Sequence, residues 1–315
     1  MNKNISLTIA TALIMNSGAA LAQNVNIGKS NVTLKSDIMT PETMWEMGRV
    51  GSAKANPDGS KIIYQVGYYS VKENRGHQVL YIMDANGKNA KLLTTSAKSE
   101  TSAEWLDNNT IAFMSGGQVW TMDSNGGNRK QISNSEIEIE GFAFSPDRKQ
   151  VVLLKSIPYY GSIKKNPDDL PKTTGMVVTD MNYRHWDHYV QSIVHPFLAN
   201  VAADGSINEG YDILEGEPYE SPLAPFGGIE QIAWSKDSKS IAYTCRKKEG
   251  VDYATSTDAD IYLYNIASKK SVNLCKPAGY VAPKKDMTKS LRNQAVNNQS
   301  GDFNVGYDVN PKFSP

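Results

Sequence analysis

Cysteine is scarce in this chain. Only Cys245 and Cys275 occur among 315 residues, which excludes a disulfide-stapled scaffold and any zinc motif built on paired cysteines. Long apolar runs are missing too. The apolar stretch at residues 5–15 is eleven residues long, where a membrane-spanning helix needs about 20. Net charge is absent, with 33 basic against 33 acidic residues and no basic stripe or long charge run. That balance argues against a nucleic-acid partner and against an anionic membrane surface.

The start of the chain reads as a secretory signal. Lys3 supplies the positive n-region, residues 5–15 the apolar h-region, and Ala20-Leu21-Ala22 the small-x-small cleavage pattern. Cleavage after Ala22 would leave residues 23–315, with 32 basic against 33 acidic residues, in the periplasm or outside the cell. No cysteine follows the cleavage site, so a lipid anchor is not expected.

One hairpin recurs along the rest. Phe142-Ala143-Phe144-Ser145-Pro146-Asp147 leads through a turn into Gln150 and the apolar run Val151-Val152-Leu153-Leu154. Pro146 presets φ for the turn, and Asp147 can bond the backbone two residues on. Copies surround Asp58, Asp107 and Asp237, so successive turn aspartates lie 49, 40 and 90 residues apart. Each copy is followed by a second hairpin, as in Gln118-Val119-Trp120-Thr121-Met122-Asp123 before the turn at Asn125-Gly126. Four strands per unit at about 40–45 residues is the pattern of a β-propeller. The expected fold is therefore all-β, with meander blades at residues 50–94, 100–133, 140–214 and 228–274. Thr40-Pro41-Glu42 caps a short helix in a lead-in at 23–49, and the third blade carries an excursion at 155–191 after its second strand. Lys312-Phe313-Ser314-Pro315 repeats the opening of the hairpin, so a fifth blade begun at 306 and a longer parent protein are expected.

Cys245 and Cys275 follow the second and fourth strands of one blade, about 9–10 Å apart. That is too far for a bridge unless the ends curl together, so two free thiols are expected. Asp258-Ala259-Asp260 lacks the glycine and closing glutamate of a calcium loop, and no metal or cofactor is assigned.

The lead-in Met39-Thr40-Pro41-Glu42-Thr43-Met44-Trp45, the following Arg49-Val50-Gly51, and Tyr183-Arg184-His185-Trp186-Asp187 in the excursion resemble the propeller half of the prolyl oligopeptidase family. The resemblance covers residues 23–315. It implies the propeller portion of a secreted serine exopeptidase of dipeptidyl-peptidase type, gating and helping to bind short peptides for a C-terminal α/β-hydrolase domain. No Gly-x-Ser-x-Gly nucleophile elbow occurs in these residues, so no catalytic residue is transferred and the chain alone is expected to be inactive. The alternative is a non-enzymatic, TolB-like periplasmic propeller that binds a protein or envelope partner.

Candidate substrate contacts are Tyr183, Arg184, Trp186 and Asp187, with Glu215 and Glu217 as further acids beside the third blade. A carboxylate among aromatic rings suits a peptide: the acid pairs the terminal ammonium and the rings receive apolar side chains. A plainer reading has Tyr183 and Trp186 pin the excursion to its blade while Arg184 pairs Asp187 or Asp180. A third makes His185, His188 and Asp187 metal ligands, without a spacing motif to place a fourth.

Overall fold

The computed structural model describes residues 27–31, 36–159, 190–249, 253, 256–280 and 306–314, with 163–164, 170, 172–173 and 177–178 between. The signal sequence expected at 1–22 lies outside the described residues. After the six-residue helix α1 (Pro41–Glu46), the described chain is β-sheet with one short 3-10 turn at Ile229–Gln231. Thr40 caps α1 by accepting the Thr43 N–H at 3.2 Å, and Pro41 stands at its first turn.

Four antiparallel four-stranded sheets follow. The first runs β1 (Arg49–Ala55), β2 (Lys61–Ser70), β3 (Arg75–Asp84), β4 (Lys91–Leu92), and the second β5 (Glu100–Trp105), β6 (Thr110–Ser115), β7 (Gln118–Asp123), β8 (Lys130–Gln131). The third begins with β9 (Ile139–Phe144) and β10 (Gln150–Pro158). A small hairpin, β11 (Ile163–Lys164) with β12 (Val177–Val178), interrupts it before β13 (Ser192–Asn200) and β14 (Tyr211–Asp212) complete it. The fourth is β15 (Ile232–Trp234), β16 (Ser240–Cys245), β17 (Asp260–Asn265), β18 (Lys270–Asn273). Each is a simple meander, and among the described residues none closes on itself.

The third blade differs from the pattern in one detail. Its second strand does not pause at Leu154 but continues to Pro158, paired residue for residue with β13 from Gln150↔Asn200 to Pro158↔Ser192. Lys155 interrupts the apolar run without ending the strand, because its ammonium reaches Glu209 Oε2 at 2.6 Å and the Glu209 carbonyl at 2.8 Å.

Strand alternation explains how the blades stack. In β6, Ile111 and Phe113 face the first blade while Ala112 and Met114 face the third. In β10, Val151 and Leu153 join the core shared with the second blade, and Val152 and Leu154 join the core shared with the fourth. A side-chain period of two thus puts one continuous apolar run into two cores. Each such side chain contributes about 1.5–3 kcal/mol on burial.

Polar bonds set the angle between neighbours. Trp105 Nε1 donates to the Lys54 carbonyl at 3.0 Å, and Trp234 Nε1 to the Ala143 carbonyl at 2.9 Å. The turns touch as well: the Asp58 N–H meets Asn108 Oδ1 at 3.0 Å, and the Asp147 N–H meets Ser238 Oγ at 3.1 Å. Within its turn, Asp147 Oδ1 accepts Ser145 Oγ and the Lys149 N–H, and these bonds hold its carboxyl below the usual range. Asp237 repeats the arrangement with Ser235 and Lys239. The Ala85 N–H bonds the Ser60 carbonyl at 2.9 Å and the Ser124 N–H the Asn109 carbonyl at 2.6 Å, so the β3–β4 type turns lie on this same face.

The opposite face therefore carries the β2–β3 type connections, the links between blades and the lead-in. There Arg49 places its guanidinium 4.6 Å from the Trp45 ring centroid and 4.4 Å from that of Tyr69, fastening α1 to the first blade. Cys245 and Cys275 are both free thiols.

Leu153→Ala should cost about 2–5 kcal/mol, because it empties a fully buried position between two blades. Lys61→Ala, on a partly exposed shoulder, should stay within about 0.5 kcal/mol. Chemical denaturation of the two variants checks the contrast, and equal losses would contradict the packing described.

Candidate functional site

The face opposite the turns holds a cavity of about 550 Å³ at the rim of the fourth blade. It forms where β16 ends, β17 begins and β18 ends. Asp258 and Asp260 stand two apart on entry to β17, which directs both carboxylates to one side. Beyond β18, Asn273 Oδ1 accepts the N–H groups of Cys275 and Lys276 at 2.8 and 3.1 Å, an Asx turn that swings Lys276 back over the acids.

Lys276 is the hub. Its ammonium lies 3.0 Å from both Asp258 oxygens and 2.8 Å from Asp260 Oδ2. Lys248 adds a second bond to Asp258 at 2.9 Å. Burial works to raise the Asp258 carboxyl, but the bonds from Lys248 and Lys276 outweigh it and hold it below the usual carboxylate range. Burial likewise works against the Lys276 charge, and the bonds from Asp260 and Asp258 outweigh it, raising its pKa. Asn273 Nδ2 donates to Asp260 Oδ2 at 2.8 Å and to the Tyr262 hydroxyl at 3.3 Å.

Lys247 also lines the cavity; its ammonium lies 4.9 Å from the Tyr262 ring centroid and 5.8 Å from that of Tyr219, in the link between the third and fourth blades. Lys247 also pairs with Glu217. The Tyr219 hydroxyl donates to Glu249 at 3.0 Å, and burial, then this bond, push its pKa up to about 12. The result is a pocket of matched charges and aromatic faces. It can receive a zwitterion by exchanging internal ion pairs for external ones. Beside it, burial, then the nearby Asp308 and Asp260 carboxylates, push the Cys275 thiol up, which lowers its thiolate fraction.

The expected contacts fare unevenly. Tyr183, Arg184, Trp186 and Asp187 lie outside the described residues, as do His185 and His188. The strand ends that bracket their segment, Pro158 of β10 and Ser192 of β13, are on the same face as the cavity. Glu215 is exposed, whereas Glu217 is committed to Lys247. Sequence reasoning missed Lys247, Lys248, Asn273 and Lys276. The only local signal was the Asp-x-Asp pair opening a strand, and its partners come from loops too distant in sequence to be matched by spacing.

The chain matches no family model. It is 38% identical over 320 residues to dipeptidyl-peptidase 5 of Porphyromonas gingivalis, covering 100% of this chain and 42% of that protein. It is 32% identical over 288 residues to dipeptidyl-peptidase 5 of Porphyromonas endodontalis, covering 90% of this chain and 38% of that one. This chain is a propeller part of the prolyl oligopeptidase family. It spans about two-fifths of the length of these curated relatives. Among solved structures, acylaminoacyl peptidase of Pyrococcus horikoshii aligns with 74% of this chain and 33% of its own, at 12% identity and TM-score 0.48.

Within this prolyl oligopeptidase-family propeller, Lys276→Met should destabilise the fold by about 3 kcal/mol at neutral pH, because it leaves the buried Asp260 carboxylate without an ammonium and Asp258 with Lys248 alone. Asp258's depressed folded pKa gives stability that is present above its unfolded value and lost as pH falls through the folded one. In the variant, Lys248 alone opposes the burial of Asp258, and acid relieves the repulsion between the two carboxylates. The gap between wild type and variant should therefore shrink as pH falls, a trend that denaturation at several pH values will show; a pH-independent gap would contradict it.

Proposed function

We propose that this chain is the propeller of a secreted dipeptidyl-peptidase-like serine exopeptidase, gating and helping to bind short peptides for the protein's own C-terminal hydrolase domain. The observation that carries the reading is sequence similarity to dipeptidyl-peptidase 5 across the whole chain. Two features support it. The signal pattern at 1–22 suits export to the periplasm or beyond. The face bearing the β2–β3 type connections gathers charge and aromatic surface, the chemistry a short zwitterionic peptide requires.

In this reading the excursion of the third blade and the rim of the fourth blade face the hydrolase domain. Asp187 meets the free amino group of the substrate, Tyr183 and Trp186 form the apolar wall, and Arg184 orients the acid. Exposed Glu215 is the reserve anion; Glu217 is a poorer one because Lys247 already holds it. The propeller contributes recognition, and the nucleophile comes from the hydrolase domain.

Asp187→Asn tests this in the intact protein that carries the chain. A charge-assisted contact is worth about 1.5–3 kcal/mol, so kcat/KM for free-amine dipeptide substrates should fall roughly tenfold or more. N-terminally blocked substrates have no ammonium to pair and should be nearly unaffected. A free-to-blocked ratio unchanged by the substitution, with stability reduced, would instead give Asp187 a packing role.

A further inference from the structure

Beside the charged cavity, three potential ligands converge from three separate segments. Asp260 opens β17, Cys275 follows β18, and Asp308 belongs to the strand-like segment that returns after residue 305. That segment bridges in parallel to the residue just before β17: the Ala259 N–H bonds the Gly306 carbonyl at 3.0 Å, and the Asp308 N–H bonds the Ala259 carbonyl at 3.1 Å. One carboxylate oxygen from each aspartate and the Cys275 sulfur lie within 4.8 Å of one another.

A second observation separates this group from an ordinary acidic cluster. Asp260 is 6% exposed, and although its Oδ2 is taken by Lys276 and Asn273, its Oδ1 is buried with no hydrogen-bond partner among the described residues. Asp308 Oδ2 is buried and unpartnered in the same way. A buried, unpaired carboxylate oxygen is costly, and one on each of two aspartates that gather with a sulfur calls for a shared cation. The charge balance agrees. Three carboxylates, Asp258, Asp260 and Asp308, stand against two ammoniums, Lys248 and Lys276, before any thiolate is counted.

We propose that Asp260, Cys275 and Asp308 form a binding site for a thiophilic divalent cation, Zn²⁺ by preference, which staples residues 306–308 to the fourth blade beside the start of β17. The donor set selects the metal. A sulfur with two carboxylates is too soft and too small in number for Ca²⁺ or Mg²⁺, and suits Zn²⁺ with water in the fourth position. Tetrahedral zinc places such ligand pairs about 3.3–3.5 Å apart, so the group closes by up to about 1.5 Å on binding. The sulfur is also oriented in advance: Cys275 Sγ accepts the Ile261 N–H at 3.3 Å, an outer bond of the kind that steadies a metal-bound thiolate. Lys276, on Asp260 Oδ2, offsets the negative charge that remains once the cation is bound.

Co²⁺ serves as the spectroscopic probe on the full chain. One Co²⁺ per chain should bind and produce a thiolate-to-cobalt charge-transfer band. Zn²⁺ should abolish it by displacement, whereas Mg²⁺ in excess should not. Cys275→Ser should remove the band, Asp308→Asn should weaken binding roughly tenfold or more, and Cys245→Ser should leave both unchanged. Zn²⁺ at about a hundred times its dissociation constant should raise the melting temperature by roughly 5 °C. If a variant fails to fold, the wild-type chain still reports: Zn²⁺ should slow alkylation of Cys275 at least tenfold, read by mass spectrometry of its peptide. No band in the wild type, a band retained in folded Cys275→Ser, or alkylation unchanged by Zn²⁺ would each overturn the site.

Discussion

The structure depends on strands that are buried on both faces. A strand in the middle of a blade cannot satisfy one core alone, because alternate side chains leave the sheet in opposite directions. In β10 those directions lead to two different blades, with Val151 and Leu153 on one side and Val152 and Leu154 on the other. Four buried aliphatic side chains at about 1.5–3 kcal/mol each outweigh any single inter-blade hydrogen bond, worth about 1 kcal/mol. Stacking is thus driven by apolar area. Trp105 and Trp234, through their indole N–H groups, select the geometry rather than supply the energy.

The division of labour between the two faces follows from the meander. Antiparallel strands with tight hairpins send one set of turns to one face, where aspartates such as Asp147 and Asp237 stabilise their own backbone. The β2–β3 type connections emerge on the other face and are free to lengthen, which is where the third and fourth blades carry their long segments. Charge collects there for the same reason. Lys247, Lys248, Glu217 and Asp258 come from loops and strand ends, not from the stacked centres of the sheets.

That charged rim is internally satisfied to a degree the isolated residues do not suggest. Lys276 serves two aspartates, Lys248 shares one of them, and Lys247 is divided between Glu217 and two tyrosine rings. Such a network is held in place by the cost of breaking it, since removal of one partner strands the others in a partly dry setting. The free valences lie beside it. Asp260 presents one satisfied and one unsatisfied oxygen, and the unsatisfied one marks where a further cation belongs.

Much of the fold was legible in the residues because it is written locally and repeatedly. The spacing of Asp58, Asp107, Asp147 and Asp237, the Asn-Gly turns and the period-two apolar runs each specify a hairpin, and repetition specifies blades. Lys155 marks the limit of such reasoning: a lysine after an apolar run reads as a strand end, yet β10 passes through it because Glu209, 54 residues away, receives the charge. The rim was less legible still. Glu217 is an acid with an open role in the sequence and a paired one in the fold, because Lys247 arrives from the next blade. Sequence by itself determined the hairpins, the blades and the two-faced strands, all of which depend on neighbours within a few residues. Only the tertiary structure decided which charges neutralise each other and which oxygens stay unpaired, because Coulomb energy and desolvation depend on distances in space that residue spacing does not encode.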